Sequence, residues 1–101
     1  MMIRLIMEWD IQIGHEQEFS EYAIREFAPG IMDMGIEPND VLYTIYGDEP
    51  QMMAICSIAN YDKMTEIMTS DRWQELHNGL LQYVTNYNHR IVYDNGKNFQ
   101  I

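Results

Sequence analysis

Cations are scarce in this chain. Six lysines and arginines stand against sixteen aspartates and glutamates, a formal net charge of −10. A surface of that sign repels phosphate backbones and anionic lipid, so neither nucleic acid nor a membrane is the partner to expect. Cysteine is nearly absent as well. Cys56 stands alone, which excludes an internal disulfide, and with His15, His77 and His89 scattered along the chain it forms no paired thiolate motif for zinc. Neither a metal nor a cofactor is implied. The Gly-rich phosphate loop, the nucleophile elbow and the HExxH motif are all missing, which removes nucleotide-dependent, serine-hydrolase and metalloprotease readings. Long apolar runs are missing too: the opening MMIRLIMEWD reaches Glu8 and Asp10 at once. Neither a signal peptide nor a membrane span is expected there, and the expected location is the cytoplasm.

What is present fits one domain over residues 1–101, large enough for a single core and too small for separate cofactor and substrate domains. Glu16, Glu18, Glu21 and Glu26 crowd one segment and read as a solvated helix face. Nine methionines are flexible and polarizable, so IMDM at 31–34 and MM at 52–53 either fill the core or line an adaptable cavity.

From Ile3 to Ile13 every odd position is apolar while Arg4, Glu8, Asp10 and Gln12 alternate with them, the pattern of a strand with one buried face. Gly14 ends it, and the acidic stretch that follows suits a helix start. Phe19, Tyr22, Ala23 and Phe27 then recur at three- and four-residue spacing, an inward stripe that Pro29-Gly30 is expected to interrupt or kink. Strands at 41–46 and 52–58 flank a turn at Gly47, Asp48, Glu49 and Pro50. A short helix follows Asn60 or Asp62. Another starts at Ser70 or Asp71, with Gln74 three residues after Asp71 in a capping-box relation. YNHRIVYD supplies a last strand, Ile91 and Tyr93 facing one way and Val92 the other.

The order is βαββαβ with the second helix in two pieces, an α+β, ferredoxin-like arrangement whose right-handed crossovers put the helices on one face of an antiparallel sheet. The hairpin strands, read as inner strands, carry apolar residues on both faces: Val41, Tyr43 and Ile45 against Leu42 and Tyr46, and Met53 and Ile55 against Met52, Ala54, Cys56 and Ile58. An apolar sheet face left bare marks an interface, and a second copy of the chain is the simplest cover. A homodimer is expected.

The opening strand up to Gly14, the LYTIYGDEP hairpin, and SDRWQELHNGLL with its following strand together resemble the dimeric α+β barrel superfamily, over nearly the whole chain. That group includes antibiotic-biosynthesis-type monooxygenases, heme-degrading monooxygenases, stress-responsive barrel proteins and NIPSNAP-like proteins. The resemblance implies two sheets packed face to face across a dimer and a small-molecule pocket between each sheet and its helices. It also implies an apolar or aromatic ligand, and either a cofactor-independent, monooxygenase-like activity or a non-catalytic sensing or interaction role. In the heme-degrading branch a histidine on the last helix ligates iron, and SDRWQELH carries that position onto His77. Aligned on Gly14, the branch's strand asparagine falls at Met7 and its helix tryptophan at Ile67, so heme turnover is not expected. For heme propionates the chain offers only Arg4, Arg25, Lys63, Arg72, Arg90 and Lys97.

On a helix Trp73, Leu76, His77, Leu80 and Val84 share one face, with His77 near its middle and pointing toward the sheet. It is either a buried neutral imidazole bonded to a core partner or a pocket base or ligand, free to act near neutral pH because its ordinary pKa is about 6.5. The second reading makes His77 the catalytic candidate, between Trp73 and Leu81 where this superfamily keeps its cavity. Trp9 and Trp73 are then pocket walls beside Met7 and Leu81, and Tyr22, Tyr43 and Tyr46 are hydroxyls for a ligand oxygen or for one another. Glu8 and Asp10, on the opposite strand face, call for ion pairs with Arg4 or Arg90.

Overall fold

A computed structural model describes residues 2–48 and 50–94. Strand β1 runs Met2–Ile11, followed by helix α1, Glu16–Tyr22, a π turn, Ala23–Phe27, and helix α2, Ala28–Met34. Strands β2, Glu37–Tyr43, and β3, Met52–Ile58, form the hairpin. Helices α3, Tyr61–Met68, and α4, Asp71–Leu81, lead to the last strand β4, Val84–Asp94. The four strands make one antiparallel sheet in the order β2-β3-β1-β4, the ferredoxin-like arrangement expected from the element order.

Period-two alternation in β1 is realised as expected. Ile3, Leu5, Met7 and Trp9 are buried and pair with Ile58, Cys56, Ala54 and Met52 of β3, so both inner strands contribute one wall of the core. Arg4, Ile6, Glu8 and Asp10 lie on the other face, half-buried. Only β3 of the hairpin is an inner strand. β2 is an edge, which accommodates Pro38 within a strand because an edge has one side free of ladder bonds. The strand also starts earlier and ends earlier than the apolar run 41–46 implied: Ile45 and Tyr46 fall past its end and are almost fully exposed. Glu49 of the expected turn lies outside the described residues.

Pro29-Gly30 does not break the first helix. The disturbance sits just before it, where the wider π turn carries the chain into the proline, and Pro29 occupies the first turn of α2, where a missing N–H costs nothing. The helix stops instead at Gly35, left-handed at φ 102°, with the Ile36 N–H bonded to the Ile31 carbonyl as a Schellman cap. At the start of α4 the cap is Ser70, whose hydroxyl accepts from the Trp73 N–H, and not Asp71. Asn60 does the same for α3 through Lys63.

The first helical segment docks closely on α4, at Gly30 against Leu76 and at Tyr22. The Tyr22 hydroxyl donates to the Leu76 carbonyl at 2.9 Å, and a Cβ at Gly79 would run into that hydroxyl. Glycine is required there by space. Glu16, Glu18, Glu21 and Glu26 are all exposed, the solvated face anticipated for them.

Candidate functional site

A cavity of about 240 Å³ lies between the helix-facing side of the sheet and the first helical segment. Its floor is Met7 and Trp9 of β1 with Met52, Ala54 and Cys56 of β3; Pro38, Val41 and Tyr43 of β2 form one side. The roof is Phe19 and Ser20 of α1, Ala23, Ile24 and Phe27 of the π turn, and Ala28 and Ile31 of α2. Three of the five residues in the π turn therefore face the cavity. A π turn is less well bonded than an α turn and is frequent at functional sites, because it swings side chains to positions a regular helix does not reach. Ile24, Val41 and Tyr43 are more than half exposed and mark the mouth, whereas Met7 and Cys56 at the bottom are inaccessible.

Among the described residues, no carboxylate, imidazole, ammonium or guanidinium group belongs to that wall. Burial pushes the Cys56 thiol up to about 11, so it is a neutral, weakly polar group and not a nucleophile. The volume lies just below the range of about 300 to 1,000 Å³ usual for small-molecule pockets, which suits a compact ring system. Met7 and Met52 give the floor polarizable thioethers that adapt to an aromatic guest.

Of the residues singled out by sequence, the structure brings Met7, Trp9 and Tyr43 to the cavity. His77, Trp73, Tyr22 and Leu81 are not among its walls. Tyr22 spends its hydroxyl on Leu76, and burial beside Glu26 raises its pKa. Leu81 ends α4 and is partly exposed, and Tyr46 is open to solvent. His77 sits on the flank of the α4 stripe and not at its middle. Trp73, Leu76 and Leu80 are the buried set, His77 is half-buried, and Val84 belongs to β4.

His77 belongs to a second cluster, built of rings. Its imidazole stacks on Trp73 at 5.7 Å and meets Tyr87 edge-on at 4.7 Å. Tyr87 stacks on Trp9 at 6.2 Å with 13° between planes, so this cluster touches the cavity floor from behind. His89 completes it: its Nδ1 is 3.0 Å from the Tyr87 hydroxyl, and its ring is 6.1 Å from that of His77. Two of the three histidines that are far apart in sequence thus meet in the fold. Burial, and secondarily the neighbouring His89, lower the pKa of His77, which keeps it neutral near neutral pH. Burial drives the Tyr87 phenol well above its ordinary value. The Nε2 of His77 and the Nε1 of Trp9 are buried and meet no hydrogen-bond partner among the described residues. The sequence alone does not single out Tyr87 or His89 as site residues, although their i, i+2 spacing on one strand face is the available signal.

Among the described residues no group of three or more His, Cys, Asp or Glu side chains is arranged to hold a metal ion. Met7 and Ile67, at the positions of the heme branch's assisting residues, are fully buried apolar side chains, and Lys97 lies outside the described residues. On the opposite sheet face Glu8 reaches Arg90 at 4.0 Å, the ion pair expected. Asp10 instead accepts from the Asn86 amide at 3.0 Å and from the Gln51 backbone N–H at 2.8 Å, neutral donors that lower its pKa, Asn86 the more.

No protein-family model matches the chain, and no curated protein does. Solved structures do. A NIPSNAP family protein from Agrobacterium tumefaciens superposes with a TM-score of 0.69 at 18% identity, covering 95% of each chain. An EthD family protein from Bacillus halodurans gives 0.71 at 16%, over 93% of this chain and 99% of that one. SnoaB, a cofactor-independent oxygenase from Streptomyces nogalater, gives 0.73 at 12%, over 95% of each. At these identities the likeness is one of fold. The chain has the ferredoxin-like α+β fold that these NIPSNAP and SnoaB structures share.

Proposed function

We propose that this protein is a homodimer that binds a compact, apolar or aromatic small molecule in the cavity between sheet and helices. The observation that carries the reading is the wall itself: apolar side chains from three strands and from the π turn, with no ionic group among them. Such a wall gains from excluding water around a ring and offers nothing to balance a carboxylate or phosphate. Calorimetric titration with menadione, a neutral naphthoquinone, tests it against a variant whose cavity is filled, Ala23→Trp.

The dimer rests on the other face of the sheet. Ile6, Met53, Ile55, Leu42 and Val92 line it, bordered by Arg4, Glu8, Asp40 and Arg90. Leu42 is 52% exposed and Val92 37%. A second copy of the same face, turned about a two-fold axis, offers apolar strip to apolar strip and brings both signs of charge to both borders.

A second reading, oxygen-dependent turnover of the bound compound, is favoured by the likeness to SnoaB. With no base on the cavity wall, His77 would act in that reading through the Tyr87 ring that separates it from Trp9. Incubation with an aromatic ligand under labelled dioxygen, followed by mass spectrometry, distinguishes turnover from binding alone.

A further inference from the structure

The ring cluster behind the cavity has a feature that packing alone does not require. Tyr87 is half-buried, its ring stacked on Trp9 and met edge-on by His77, and a phenylalanine would make the same ring contacts. The hydroxyl is nevertheless present, and it is placed 3.0 Å from an imidazole nitrogen. We propose that Tyr87 is a redox-active tyrosine, supplied through Trp9 with electron vacancies that arise in the cavity and served by His89 as its proton acceptor.

A phenol drawn partly out of water is hard to oxidise alone. Removing an electron while the proton stays leaves a cation in a low-dielectric setting, and losing the proton first is opposed by the same burial. A base already hydrogen-bonded to the hydroxyl removes both difficulties, because electron and proton leave together. His89 can be that base when its own ring proton is on Nε2, leaving Nδ1 as the acceptor. His77, kept neutral by burial and by His89, adds no competing charge beside the phenol.

The step balances as follows. An aromatic compound bound in the cavity, in its one-electron-oxidised form, takes one electron from Trp9 and is restored. Trp9 takes one electron from Tyr87 across the 6.2 Å stack. The phenolic proton passes from Tyr87 Oη to His89 Nδ1, leaving a neutral phenoxyl radical and an imidazolium. A thiol or ascorbate-class reductant outside returns one electron, and the proton moves back. The chemistry that such a path guards against is on the cavity floor: Met7, Met52 and Cys56 are oxidisable sulfurs in contact with the same space. The inference rests on the cavity reading, since the vacancy originates in a compound held there.

The experiment uses menadione, whose photoexcited state is a one-electron oxidant, on the whole protein in a Tyr43→Phe background that removes the cavity's own phenol. Illuminated, frozen samples are read by electron paramagnetic resonance. A tyrosyl signal is expected in that background, lost in Tyr87→Phe and reduced several-fold in His89→Leu, which keeps the phenol but removes its acceptor. Tryptophan-derived signal should persist in Tyr87→Phe. An equal tyrosyl signal without Tyr87, or an unchanged one without the His89 imidazole, overturns the proposal. If calorimetry shows that menadione does not bind, the cavity reading fails. The relay is then judged with a dissolved ruthenium polypyridyl photo-oxidant, where identical spectra for wild type and Tyr87→Phe overturn it.

Discussion

The indole of Trp9 lies nearly parallel to the ring of Tyr87, 13° between planes and 6.2 Å between centroids. Trp9 is thus a shared wall: one part of its surface lines the cavity, and another carries Tyr87, through which His77 and His89 are joined to it. Two groups of residues that are separate along the chain meet at this indole. What can be tested follows from which side of it a residue occupies.

His77 is on the far side. His77→Ala should leave menadione affinity within about two-fold of wild type while costing roughly 1–2 kcal/mol of stability through lost ring contacts with Trp73 and Tyr87. Thermal unfolding with parallel calorimetry measures both. A loss of affinity at unchanged melting temperature would instead return His77 to the ligand site.

The pH dependence follows from the same residue. Because the folded state lowers the His77 pKa, the unfolded chain binds that proton more readily. The stabilising contribution is present above roughly pH 6.5 and is lost as the pH falls through the lower, folded-state value. Urea midpoints at about pH 7.5 and 5.5 should differ more for wild type than for His77→Gln. Equal slopes for the two proteins would contradict the depressed pKa.

Gly79 is read as a spacing residue. Gly79→Ala should destabilise by about 2 kcal/mol, since the new Cβ meets the Tyr22 hydroxyl and forces the first helix away from α4. The loss should be smaller when the change is made on Tyr22→Ala. Full additivity of the two substitutions in urea unfolding would argue against the contact.

The open sheet face should hold the dimer. Light scattering after size exclusion is expected to give twice the chain mass at micromolar concentration, and Ile55→Asp, at a half-buried position opposite Ile6, should give the monomer. A wild-type monomer would remove the reason for that face.

Most of the fold was legible because its signals are local. Alternation from Ile3 to Trp9, the Ser70 and Asn60 caps, and the order of strands and helices each depend on neighbours in sequence. The site was legible only in part. Met7, Trp9 and Tyr43 were singled out and do line the cavity, but Phe19, Ala23 and Phe27 read as ordinary core stripe because their periodicity cannot reveal a void beneath them. The π turn has no sequence signature of its own, and Pro29 drew the expected irregularity a few residues too late. One regular face continued through Val84 puts His77 at mid-stripe; the helix ends at Leu81, which leaves Trp73, Leu76 and Leu80 as the centre and His77 on the flank. The pairing of Tyr87 and His89 with His77 is a tertiary contact between α4 and β4, and helical periodicity within α4 carries no information about it.

The cavity itself is tested most directly by calorimetric titration of menadione into wild type and Ala23→Trp, with melting temperatures recorded for both. Saturable binding of one molecule per chain in wild type, abolished in a variant that still unfolds cooperatively, is the result predicted. No saturable binding in wild type, or equal binding in the filled variant, would contradict the account.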